Sequence, residues 1–171
     1  MSIQNEIEAE QLDPNNSGRI SKYLTFMVGD ESFGLPVLRV REIIRLVNIT
    51  AVPNTPEYVK GVVNLRGKII PIIDLRLKFE MGEGDVNKRT CVIVVQLELE
   101  DGETTLMGLV VDGVDEVVGI NLDEVEKMPD FGTSLNTDCI TGVIKIKGDV
   151  KTLLDIDRAV GLDALAHGVA A

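Results

Sequence analysis

The chain has 171 residues and 44% of them are hydrophobic, so it folds around an apolar core. Lys and Arg number 17 against 28 Asp and Glu, a formal net charge of −11. That balance repels phosphate backbones and anionic lipid, which excludes nucleic acid as a partner and argues against membrane insertion.

Residues 1–19 open the chain and contain the breaker cluster Asp13-Pro14-Asn15-Asn16-Ser17-Gly18. A short helix over Ile3 to Leu12 has few apolar residues to dock with, so 1–19 is expected to be a flexible N-terminal arm. From Tyr23 the pattern becomes strand-like. Tyr23 to Val28 leads through Gly29-Asp30-Glu31 to Ser32–Val37, where Pro36 marks an edge or an end. Val40, Ile43, Ile44 and Val47 recur at helical spacing, which predicts a short helical turn, followed by a strand from Ile49 to Val52. Pro53 and Pro56 bound a loop. Gly61 to Arg76 reads as a β-hairpin, two β-branched runs around Arg66-Gly67, with one arginine at its tip. A lone guanidinium there suits recognition of a carboxylate or carbonyl, and it equally reads as a solvated turn residue. Leu75 to Phe79 fits one helical turn. A loop over Met81 to Lys88 precedes an apolar strand, Cys91 to Leu97. Asp101-Gly102 turns it into Leu106–Val111. Asp130 to Asp138 reads as a loop, and Ile140–Ile146 and Val150–Ile156 as strands around Lys147-Gly148. Residues 162–171 read as an Ala-rich tail, expected to be helical and then frayed.

The second half echoes the first. Gly34 to Ile44 lines up with Gly108 to Val118, Gly61–Gly67 with Gly142–Gly148, and Ile72-Ile73-Asp74-Leu75 with Leu153-Leu154-Asp155-Ile156. A longer loop before Ile140 absorbs the difference in spacing. Repeats of this size are marginal alone, so two sub-barrels, approximately 23–80 and 91–160, are expected to share apolar surface within one unit, 20–161. The fold class is all-β, with short helices.

Chemistry-bearing motifs are missing. The single histidine, His167, lies in the tail. Asp112, Asp115, Glu116, Asp123, Glu124 and Glu126 lack the spacing of a calcium loop and read as a solvated face. Asp74 and Asp155 occupy equivalent places after strands and read as caps. Cys91 and Cys139 form no CxxC pair and read as buried small hydrophobes of a reducing compartment. There is no phosphate-cradling loop, metal cluster or nucleophile elbow. These absences point to a protein that binds and does not catalyse, with no cofactor or metal. No apolar run reaches about 18 residues, and Met1 to Gly18 lacks a signal-peptide core, so a cytoplasmic location is expected.

The stretch Gly61-Val62-Val63-Asn64-Leu65-Arg66-Gly67-Lys68-Ile69-Ile70-Pro71-Ile72-Ile73-Asp74-Leu75-Arg76 closely resembles the defining motif of the CheW family of chemotaxis coupling proteins. Phe33-Gly34-Leu35-Pro36, Val40-Arg41-Glu42-Ile43 and Val110-Val111-Asp112-Gly113-Val114 fall where that family has its other characteristic segments. The resemblance runs from about Tyr23 to Val160. It implies two SH3-like five-stranded β-barrels on a shared hydrophobic core, with barrels that can exchange strands. It also implies a non-catalytic adaptor, recruited to receptor arrays at the inner face of the membrane. Its partners would be the cytoplasmic tips of methyl-accepting chemoreceptors and the regulatory domain of the histidine kinase CheA, which has the same fold.

Position by position, the resemblance gives Arg66 and Glu42 a receptor-binding role. It places Val92, Val114 and Val117 in a groove between barrels where a receptor helix would lie. It puts Leu24, Val37 and Val40 in the apolar patch that meets the kinase. Cys91 departs from the family's usual aliphatic residue. Two other readings stand beside this one: a scaffold of the same fold in a non-flagellar array, and a small acidic hydrolase using Asp74 or Asp155.

Overall fold

Short β-branched runs punctuated by glycine turns pair into two sheets in the computed structural model, which describes residues 3–12, 20–82, 84–99, 101–128 and 139–161. Among these residues the strands are β1 (Ile20–Val28), β2 (Glu31–Pro36), β3 (Val40–Arg45), β4 (Val59–Leu65), β5 (Lys68–Asp74), β6 (Cys91–Glu98), β7 (Thr104–Val111), β8 (Gly113–Asn121), β9 (Ile140–Ile146) and β10 (Asp149–Leu154). Two α-helices accompany them, α1 (Ile3–Leu12) and the one-turn α2 (Leu75–Lys78).

One sheet runs β8-β1-β2-β10-β9 and the other β3-β6-β7-β5-β4. Replacing each strand by its counterpart in the other repeat, β1 to β5 for β6 to β10, converts one order into the other. The duplication is therefore real, but the sub-barrels do not follow residues 23–80 and 91–160. Each sheet takes two strands from one repeat and three from the other. The exchange is made by four pairings, antiparallel β1 with β8 and β3 with β6, and parallel β2 with β10 and β5 with β7. Parallel partners need a long connection, which strands from different repeats have. The parallel pairs match in detail. Leu153 lies opposite Gly34 and Ile72 opposite Gly108. A Cβ on Gly34 would come within 2.9 Å of Leu153 Cδ2, and one on Gly108 within 2.5 Å of Ile72 Cδ1.

Strand alternation divides the core in three. In β6, Ile93, Val95 and Leu97 face a shared core between the sheets, with Leu24, Phe26, Val28, Leu35, Val37 and Val40. Val92 and Val94, on the other face, fill one barrel with Val63, Ile70 and Ile72. Tyr23, Ile120, Ile144 and Leu153 fill the other. Burial on both faces is why Cys91–Val95 reads as an unbroken apolar run.

Three local expectations are corrected. Val40 to Val47 is not helical: a single 3₁₀ turn at Val37–Arg39 leads into β3. A bulge between Val40 and Glu42 adds one residue, so Val40 and Ile43 both face the shared core and imitate helical spacing. Ile49 to Val52 contributes one isolated bridge, Thr50 to Val62, and no full strand. The acidic stretch around Asp115 and Glu116 lies within β8, paired antiparallel with β1.

The opening segment also differs from a free arm. α1 packs against the 3₁₀ turn, β3 and β8, and Ile7 is 0% exposed within the shared core. Burying one isoleucine contributes about 1.5–3 kcal/mol, enough to hold a short helix whose other side chains are mostly polar. The expected loop over 130–138 and the tail 162–171 lie outside the described residues.

Candidate functional site

The β4–β5 turn projects Arg66 into solvent. Arg66 and Gly67 both have positive φ, 51° and 88°, the type I′ geometry that suits the twist of a hairpin. Asn64 Oδ1 accepts a 2.8 Å hydrogen bond from the Gly67 N–H and fixes the tip. Arg66 is not the solitary guanidinium the turn alone suggests. Its Nη1 and Nη2 donate to the two carboxylate oxygens of Glu42 at 2.6 and 2.8 Å, a fork-on-fork pair. β3 and β4 are the two edges of their sheet, so this pair ties the barrel's edges together. The Arg66 side chain stays 73% exposed while that of Glu42 is 20% exposed. The hydrogen bonds from Arg66 hold the Glu42 carboxyl below its ordinary range, burial opposing them. The same bonds raise the Arg66 guanidinium. Three of the five guanidinium N–H donors remain for a partner.

Beside the pair lies a depression between the two sheets. Glu42, Ile43 and Arg41 of β3 line it with Arg66 and with Val114 of β8. Ile3, Gln4 and Glu8 of α1 complete the lining. Gln4 uses both ends of its amide on the open edge of β3. Its Oε1 accepts from the Ile43 N–H at 3.3 Å and its Nε2 donates to the Arg41 carbonyl at 3.4 Å. One side chain thus stands in for a neighbouring strand on an edge that needs protection. Sequence reasoning missed Gln4, Ile3 and Arg41; the available signal was Ile3 and Ile7, four residues apart on one helix face.

The expected site residues divide by burial. Glu42, Arg66 and Val114 come together at the depression, and Val117 is half-buried, packed on the shared core from β8. Val92 does not join them. It is 1% exposed inside one barrel, because its side of β6 faces inward. Leu24, Val37 and Val40 are each 0% exposed in the shared core. They pack beneath the surface and do not form the exposed patch expected of them.

The carboxylates singled out for a hydrolase are caps. Asp74 Oδ1 accepts from the Arg76 N–H at 2.9 Å at the start of α2, and its Oδ2 lies 3.9 Å from Lys60 Nζ. Asp155, in the other barrel, accepts from the Arg158 N–H at 3.4 Å. The acidic residues of β8 are paired and not simply solvated: Asp115 lies 3.6 Å from Arg89 and Glu116 3.6 Å from Lys147. Asp112 Oδ2 accepts from the Gly29 N–H at 2.5 Å. Among the described residues no group of three or more His, Cys, Asp or Glu could hold a metal ion. Cys91 and Cys139 form no disulfide, and burial raises the Cys91 thiol above its ordinary pKa. His167 lies outside the described residues.

Residues 22–163 match the family model described as the CheW-like domain. The chain is 35% identical over 145 residues to the chemotaxis protein CheW of Klebsiella aerogenes, spanning 85% of this chain and 84% of that one. It is 31% identical over 160 residues to the chemotaxis protein CheW of Helicobacter pylori, spanning 94% and 93%. Among solved structures it resembles the scaffolding protein TtCheW of Thermoanaerobacter tengcongensis, with a TM-score of 0.73 and 32% identity over 85% of this chain and 97% of that one. The two five-stranded sheets are accordingly a pair of SH3-like barrels.

Proposed function

The chain belongs to the CheW-like domain family and is a chemotaxis coupling scaffold, not an enzyme; from that premise we propose that it joins the cytoplasmic tips of methyl-accepting chemoreceptors to the regulatory domain of the histidine kinase CheA. The observation that carries the receptor side is the Glu42–Arg66 pair at the rim of the depression that Val114 also lines. A guanidinium pre-set by a carboxylate, next to half-buried apolar surface, suits a polar-edged helix. Val117 extends that surface along β8. On the kinase side, Leu24, Val37 and Val40 act from beneath. They hold the 3₁₀ turn that presents Leu38, 59% exposed.

No helix among the described residues is long and apolar enough to cross a membrane. We place the protein in the cytoplasm, reaching the membrane only through its receptors. The test is a pull-down with immobilised receptor-tip fragments and, separately, the CheA regulatory domain. Wild-type protein is expected on both. Arg66→Ala is expected to lose the receptor fragment and keep the kinase domain. Wild-type protein retained by neither would end the coupling reading.

A further inference from the structure

We propose that α1 covers part of the groove between the barrels beside the receptor-side depression, and that a receptor helix must displace it to bind. This rests on the coupling reading. Its evidence is the placement of α1 itself. The helix contacts β3 of one barrel and β8 of the other, so it spans the groove between them. Ile7 is fully buried and Ile3 packs against the same core. Isoleucines four residues apart are the anchor pattern of a helix lying in an apolar groove. Ile3, Gln4 and Glu8 form one wall of the depression and Glu42, Arg66 and Val114 line it beside them, so α1 narrows the space a helix seated on Arg66 and Val114 needs. Gln4 occupies the Arg41 carbonyl and Ile43 N–H on the β3 edge, next to Glu42.

The helix is held weakly enough to move. Among its described side chains only Ile7 is fully buried, and both Gln4 hydrogen bonds are long, at 3.3 and 3.4 Å. Its chemistry also describes its competitor: a helix with apolar residues at i and i+4, an amide or hydroxyl beside the first and a carboxylate beside the second. A groove closed by its own helix in nine molecules of ten lowers apparent affinity about tenfold.

The test measures binding of a receptor-tip fragment to the full chain, wild type against Gln4→Ala and Ile7→Asp, with circular dichroism confirming the β-fold of each. Both variants are expected to bind more tightly, Ile7→Asp by up to about tenfold and Gln4→Ala by less. Hydrogen exchange on the wild-type chain provides a readout independent of the variants: amides of residues 3–12 should lose protection when the fragment is added. Variants that bind the fragment as wild type does, or more weakly, overturn the proposal. So does α1 protection that persists in the complex. A fragment bound by no form of the protein, wild type included, would instead remove the coupling reading on which this rests.

Discussion

Lys147 holds in one barrel the place that Arg66 holds in the other. Both sit at φ 51° before a glycine, and both reach a glutamate just past the bulge of an edge strand, Glu116 for Lys147 and Glu42 for Arg66. Ile69 and Val150, exposed just after the two turns, repeat the correspondence. The chemistry is not repeated. Arg66 grips with two bonds, of 2.6 and 2.8 Å, whereas Lys147 makes one contact at 3.6 Å. A planar fork fixes an orientation that a flexible ammonium cannot. One tip is therefore held in a fixed orientation and the other is a loose copy of it.

Replacing Arg66 by lysine should not preserve recognition. Arg66→Lys keeps the charge but loses the bidentate bond, so receptor capture is expected to fall nearly as far as in Arg66→Ala. Lys147→Ala should leave capture unchanged. Binding isotherms on folded variants check both, and a fully active Arg66→Lys would contradict the argument.

The pair has a defined dependence on pH. Because Arg66 lowers the Glu42 pKa in the folded state, its stabilisation is fully present above the ordinary carboxylate value and is lost as pH falls through the lowered one. Arg66 is raised, so its own part is fully present across the acid and neutral range and would be lost only in strong alkali. The melting temperatures of wild type and Arg66→Ala should therefore differ near neutrality and converge in acid. Carboxyl resonances of Glu42 should titrate at higher pH in the variant.

Gly61 cannot carry a side chain. Its φ is 140°, and a Cβ would lie 2.0 Å from the Thr50 carbonyl oxygen, on the segment that exchanges two 2.9 Å hydrogen bonds with Val62. Gly61→Ala is expected to cost about 2–4 kcal/mol, seen as an earlier midpoint in denaturant unfolding. A midpoint within error of wild type would mean that the Thr50 bridge is dispensable.

Thr25 is fully buried and serves the bulge of β8 twice. Its Oγ1 donates to the Glu116 carbonyl at 2.9 Å and accepts from the Glu116 N–H at 3.2 Å. Thr25→Val keeps the shape and strips both partners, a loss of about 1–3 kcal/mol. Thermal unfolding should show it, and Thr25→Ser should recover much of it.

Much of this was readable in advance, for reasons that can be named. The β4–β5 hairpin declares itself because a turn and its flanking strands are local and glycine marks the positive φ. The cap role of Asp74 follows in the same way. Pairing partners are not local. The repeat says that two halves look alike, and it does not say that β2 must lie beside β10. The β3 bulge inserts one residue and turns a period of two into an apparent helix. Leu24, Val37 and Val40 read as apolar residues of or beside strands, but which face of a strand is buried depends on a second sheet that no single strand reveals. Ile7 is one of few apolar residues in a mostly polar stretch, and its weight comes from the socket the barrels provide.

The exchange of strands between repeats also sets an order of events during synthesis. The sheet that begins with β1 and β2 cannot close until β8, β9 and β10 have left the ribosome, because those three supply its remaining strands. Its nascent first half waits with unpaired edges, and closure joins residues more than a hundred positions apart, which slows folding. A chain cleaved in the loop near Asp85 would yield two pieces with no complete sheet in either. Together, the same pieces hold every strand needed to reassemble.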